Sequence, residues 1–64
     1  MKTSYMVVAK NGDLVNKFRQ GSMLEALNLQ DYLLGLGDYQ EVSIFHSLNS
    51  GLEKDWVIVD TMES

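Results

Sequence analysis

The sequence predicts an α+β fold: a single ββαββ domain over residues 1–64, with one helix packed on one face of a four-stranded, mainly antiparallel sheet. Three observations lead there. Asn11-Gly12 separates two apolar runs, Ser22 opens a leucine-rich stretch with a helix-capping signal, and two further β-rich runs follow a glycine stop. Strands are expected at about residues 4–10, 13–19, 40–48 and 56–61, and a helix at about 23–36.

The first pair of strands rests on Asn-Gly, because both residues tolerate the positive φ that a type I′ turn needs. With those two residues as the loop, Lys10 faces Asp13, Ala9 faces Leu14, Val8 faces Val15, Val7 faces Asn16, Met6 faces Lys17 and Tyr5 faces Phe18. One side of the hairpin then carries Tyr5, Val7, Ala9, Leu14 and Phe18, interrupted by Asn16. The other carries Met6, Val8, Val15, Lys10, Asp13 and Lys17.

Ser22 followed three residues later by Glu25 is a capping box, and Gly37 is suited to the left-handed position just past a helix end. At about 100° per residue, Met23, Ala26, Leu27, Leu29, Leu33, Leu34 and Leu36 form one apolar stripe, with Gln30 as its polar intruder. Glu25, Asn28 and Tyr32 belong to the wet side. In the third strand Val42, Ile44 and Leu48 alternate with Glu41, Ser43 and Ser47, which reads as half-buried. Trp56-Val57-Ile58-Val59 is apolar on both sides, which suggests a central place in the sheet, with Met62-Glu63-Ser64 fraying beyond it.

Sixty-four residues bury only about 60 % of their unfolded surface, so the core must be thin. There is no cysteine, which excludes a disulfide framework and a thiolate zinc site and suits a reducing compartment. The apolar stretch after Ser4 is too short for a signal-peptide core, so a cytoplasmic location is expected, the host's cytoplasm if the protein is phage-encoded. No run is long enough to span a membrane.

The net charge of −4 divides unevenly. Lys2, Lys10, Lys17 and Arg19 precede Gln20 with only Asp13 against them, whereas Lys54 is the sole cation among Glu25, Asp31, Asp38, Glu41, Glu53, Asp55, Asp60 and Glu63. Phosphate-backbone binding needs a net basic surface, so nucleic acid is not an expected partner. The acidic part steers instead toward a protein partner with a basic surface.

Residues able to do chemistry are sparse. His46 is the one histidine and has no second histidine or cysteine to join it on a metal. Ser43, Ser47 and Ser50 lack any nucleophile-elbow sequence. Glu53 and Asp55 lie in a charged turn without an apolar pocket to raise a pKa. Gly35-Leu36-Gly37 follows a helix rather than a strand, the wrong setting for a phosphate cradle. The expectation is a protein that is not an enzyme and holds no cofactor or metal.

One helix covers one sheet face, and the other face must be polar or meet something. Read outward, that face carries Met6, Val8, Val15, Phe45, Trp56 and Ile58, in the register that also turns Asp60 away from the core. Exposed apolar patches of this kind mark interaction surfaces. These six residues are therefore the expected partner-binding set. The Ser22-x-x-Glu25-Ala26-Leu27 helix start after a hairpin resembles HicB-like antitoxins and small phage inhibitors of host enzymes. That resemblance implies an accessory protein of a phage or mobile element that binds and regulates or inhibits a larger protein. The alternative is a homo-oligomer joined through the uncovered sheet face, doing structural work or sequestering a small ligand.

Overall fold

The computed structural model describes residues 4–47 and 56–63, in which β1 (Ser4–Asn11) and β2 (Leu14–Gln20) form the hairpin. Its turn differs from the expected one. Gly12 takes a φ of +60°, and no described residue other than glycine has a positive φ. A type I′ turn over Asn11-Gly12 would require positive φ at both. The chain instead centres the loop on Gly12-Asp13, with Asn11 opposite Leu14, which is the sign pattern of a type II′ turn and needs glycine only at its first central position. The register therefore lies two residues from the expected one: Lys10 faces Val15, Val8 faces Lys17, Val7 faces Phe18 and Met6 faces Arg19. A slip of two, unlike a slip of one, leaves every side chain on its own side of the sheet.

Helix α1 (Met23–Gly35) begins as its capping box directs. Ser22 Oγ accepts from the Glu25 amide at 3.2 Å, and Glu25 Oε2 accepts from the Gly21 amide at 3.2 Å. At the other end Leu36 caps the helix, Gly37 turns left-handed at φ +77°, and its amide donates to the Leu34 carbonyl at 3.2 Å. Ser22→Ala should lower stability by about 1 kcal/mol, read as a lower urea midpoint with an unchanged slope. An unchanged midpoint would show that tertiary packing alone holds the first turn.

After α1 the chain returns beside β1. Strands β3 (Glu41–Ser47) and β4 (Trp56–Glu63) complete one antiparallel sheet of order β2-β1-β3-β4. The expectation of a central fourth strand is thus overturned. β2 occupies one side of β1 and β3 the other, and β4 pairs with the outer side of β3, which makes it an edge. Its two-sided apolar character reflects exposure, not enclosure: Val57 is 58 % and Ile58 53 % exposed.

Three details of β4 also differ from the expected strand. A β-bulge interrupts the β3–β4 register, with Phe45 facing Ile58 and Ile44 facing Asp60, so that Val59 is the extra residue. Trp56 and Ile58 keep the expected outward side. Past the bulge the sides exchange, and Asp60 lands on the helix side rather than away from it. Met62 and Glu63 do not fray but pair with Val42 and Glu41.

Val7, Ala9, Ala26, Leu33, Val42 and Ile44 form the core between helix and sheet, with Tyr5, Phe18, Met23, Leu29, Leu34 and Tyr39 packed around it. The helix packs mainly on β3 and β1, the two central strands. The polar intruder of its stripe is buried and bonded: Gln30 Nε2 donates to the Val42 carbonyl at 3.1 Å, tying the helix to β3. Leu27 and Leu36, placed in the stripe by periodicity, fall at its margins and are exposed.

Candidate functional site

Cross-strand pairing assigns each side chain to one side of the sheet. On the helix side run the rows Asn16-Ala9-Val42-Met62, Phe18-Val7-Ile44-Asp60 and Gln20-Tyr5-His46-Val57. On the open side run Val15-Lys10-Glu41-Glu63, Lys17-Val8-Ser43-Thr61, Arg19-Met6-Phe45-Ile58 and Ser4-Ser47-Trp56. All six expected partner-binding residues, Met6, Val8, Val15, Phe45, Trp56 and Ile58, therefore project from the open side.

They differ in what they offer. Val8 is 6 % exposed and lies outside the helix-side core, so it is the floor of the open side. Val15, at 46 %, and Ile58 stand free at opposite strands. Met6, Phe45 and Trp56 are half-buried between them. Met6, Val8, Val15, Phe45 and Trp56, with Lys10 and Lys17, line a depression of ≈ 330 Å³. That is at the lower end of the range for ligand pockets, and suits a few side chains of a partner.

Trp56 shapes this depression. β4 and β2 lie three strand spacings apart, roughly 14 Å at about 4.8 Å each. Yet the Arg19 guanidinium carbon is 5.5 Å from the Trp56 ring centroid. The two side chains must therefore lie down along the sheet and meet across it, a cation–π contact worth about 0.5–1 kcal/mol where solvent reaches it. The Trp56 indole N–H is buried and finds no acceptor among the described residues.

Charge on this side is also ordered. Lys10, Lys17 and Arg19 gather on β1 and β2, and Glu41 and Glu63 on β3 and β4 at the turn end. Lys10 Nζ sits 3.7 Å from Glu41 Oε2, a solvent-exposed pair that contributes at most about 1 kcal/mol. Beside the two acids, in the next row, Ser43 Oγ donates to Glu41 Oε2 at 3.5 Å and accepts from Thr61 Oγ1 at 3.3 Å. Two of the three cations were legible in the alternation of the hairpin, which puts Lys10 and Lys17 on the same side as Val8. Their convergence around an apolar floor was not, because it depends on the strand order.

The groups that could do chemistry do not converge. His46 stacks on Tyr5 with centroids 4.6 Å apart on the helix side, and its buried Nε2 has no hydrogen-bond partner among the described residues. Ser43 and Ser47 project from the open side, so the sheet itself separates them from the imidazole. No group of three His, Asp or Glu side chains gathers among the described residues to hold a metal ion. Leu48, Ser50, Glu53 and Asp55 lie outside the described residues. No described helix is long and apolar enough to cross a membrane.

The chain matches no protein-family model, no curated protein and no solved structure.

Proposed function

We propose that this is a non-enzymatic binding protein that docks on a larger protein through the open side of its sheet and regulates or inhibits it. The observation that supports this reading is the depression on the open side, lined by Met6, Val8, Val15, Phe45 and Trp56 with Lys10 and Lys17. The helix buries Val7, Ala9, Val42 and Ile44 but leaves Leu14, Val57 and Met62 exposed at the sheet edges, while on the open side Val15 and Ile58 stand exposed around Val8 and the half-buried Met6, Phe45 and Trp56. A small domain exposes aromatic and branched side chains in one patch at the risk of aggregation, and a mating surface removes that risk. The separation of His46 from Ser43 and Ser47 by the sheet supports binding rather than turnover.

Charge defines the partner. The eight acids after Gln20 steer the approach of a basic surface, whereas the local contact beside Lys10, Lys17 and Arg19 suits a segment that interleaves apolar side chains with carboxylates. The partner is therefore a protein with an amphipathic, acid-bearing contact segment set in basic surroundings. A standard interface buries about 800 Å² on each side, an area that the open side with its polar rim can supply.

Trp56 is the only tryptophan in the chain, so its fluorescence reports directly on the depression. Binding of a purified target should shift that emission. The association rate should also fall as added salt shortens the Debye length from about 10 Å at 0.1 M. A target that binds tightly without altering Trp56 emission would place the site elsewhere. A salt-independent rate would remove the role assigned to charge.

A further inference from the structure

The two edges of the sheet are built differently. β2 carries Lys17 and Arg19, cations of the kind that discourage edge-to-edge pairing. β4 has eight residues with no proline, lysine or arginine, and it exposes apolar groups on both sides: Ile58 on the open side, Val57 and Met62 on the helix side. The helix, seated on β1 and β3, leaves these last two uncovered. The bulge at Val59 and the inward-facing Asp60 blunt the middle of this edge, while Trp56-Val57-Ile58 and Thr61-Met62-Glu63 on either side of it remain open to another strand.

The bulge makes that edge self-complementary. Because Val59 is the extra residue, Trp56 and Ile58 share the open side with Thr61 and Glu63, while Val57 shares the helix side with Asp60 and Met62. Lay β4 antiparallel to the β4 of a second copy, residue 56 against residue 63. Trp56 then opposes Glu63, Val57 opposes Met62 and Ile58 opposes Thr61, each twice and each with both side chains on one side of the sheet. In a regular strand, residues 56 and 63 would point to opposite sides, and no such full-length match could form. Val59 opposes Asp60 at the centre, so neither Asp60 nor Glu63 directly opposes its own copy, but the two Asp60 side chains flank the two-fold axis on the helix side and oppose pairing there.

We infer that the protein forms a two-fold symmetric dimer by pairing β4 with β4 of a second copy into a continuous eight-stranded antiparallel sheet. The two-fold axis stands perpendicular to the sheet. Both helices lie on the same side, flanking a seam filled by the Val57–Met62 pairs, and the two open sides join into one surface. The interface is isologous, the same strand serving both copies. It uses the free backbone edge of β4 and leaves Trp56 and Ile58 on the open side, so these two residues belong both to the seam and to the docking surface proposed above.

The absence of cysteine allows a direct test of register. Sedimentation of the full chain should show a species of twice 7.2 kDa. Val57→Lys, at an exposed position, should weaken the dimer at least about tenfold with unchanged circular dichroism, while Leu14→Lys on the β2 edge should not. Mild oxidation should crosslink the double variant Val57→Cys/Met62→Cys into covalent dimers, since directly opposed residues are about 4.5–5.5 Å apart at Cα, within disulfide range. Ile58→Cys alone should not crosslink, because Ile58 does not oppose itself. A wild type that stays monomeric up to about 1 mM overturns the inference. So does a dimer indifferent to Val57→Lys but dissolved by Val15→Glu, which would join the copies face to face. Crosslinking through Ile58→Cys but not through the double variant also overturns the pairing of residue 56 with residue 63.

Discussion

Ile44→Ala is expected to leave most of the protein unfolded at physiological temperature. Ile44 is fully buried at the centre of β3, in the row Phe18-Val7-Ile44 that faces the helix. Removing three carbons from such a site costs about 2–5 kcal/mol, the upper values where the surroundings cannot collapse into the space. Collapse is difficult at this position, since Val7 and Ala9 are held on β1 between two neighbouring strands. Total stability for a chain of this length is roughly 3–10 kcal/mol, so one such loss removes much or all of it. Ile44→Val should cost only about 1 kcal/mol. In a domain this small each kcal/mol moves the melting temperature by about 4–8 °C, so thermal circular dichroism separates the two variants clearly. An alanine variant melting within a few degrees of wild type would mean that the helix–sheet layer is not the principal core.

The second large effect contrasts two glutamates on the same side of the sheet. Val8→Glu should destabilise the fold by about 3 kcal/mol or more, whereas Val15→Glu should change it by about 0.5 kcal/mol or less. Both positions project from the open side, but Val8 is floor and Val15 is rim. A carboxylate at position 8 would have to lose its hydration between Met6, Phe45 and Ser43, with Lys17 directly opposite as partial compensation. At position 15 it stays in water beside Lys10. Urea unfolding of both variants measures the difference. Equal stabilities would show that Val8 can swing into solvent, and that the open side has no floor of its own.

Much of this fold was legible because local signals agreed with one another. Ser22 with Glu25 began the helix, Gly37 ended it, and period-two alternation put Met6, Val8, Val15 and Phe45 on a common side before any strand order was known. What could not be read depended on longer-range facts. Asn11-Gly12 marks a hairpin, but it does not say whether asparagine or glycine leads the loop, and sparing Asn11 a positive φ moved the register by two. A strand apolar on both sides is central in one topology and an exposed edge in another, and nothing within Trp56-Val57-Ile58-Val59 distinguishes them. The bulge at Val59 has no glycine or proline to announce it, so the side taken by Asp60 was misassigned. The partner-binding set was found from the count of helices against sheet faces. The contact of Arg19 with Trp56 was missed because it joins side chains from the two opposite edge strands, β2 and β4.

The docking surface can be tested by comparing the proteins retained from a native lysate by three immobilised baits: wild type, Val15→Glu and Tyr32→Glu. Tyr32 is an exposed residue of α1 on the wet side of the helix, and Val15 an exposed residue of the open sheet side, so neither change should disturb the core. Quantitative mass spectrometry should find a target retained by wild type and by Tyr32→Glu and lost by Val15→Glu. A target retained by Val15→Glu and lost by Tyr32→Glu would contradict docking through the open side and move the binding surface to the helix around Glu25, Asn28 and Tyr32.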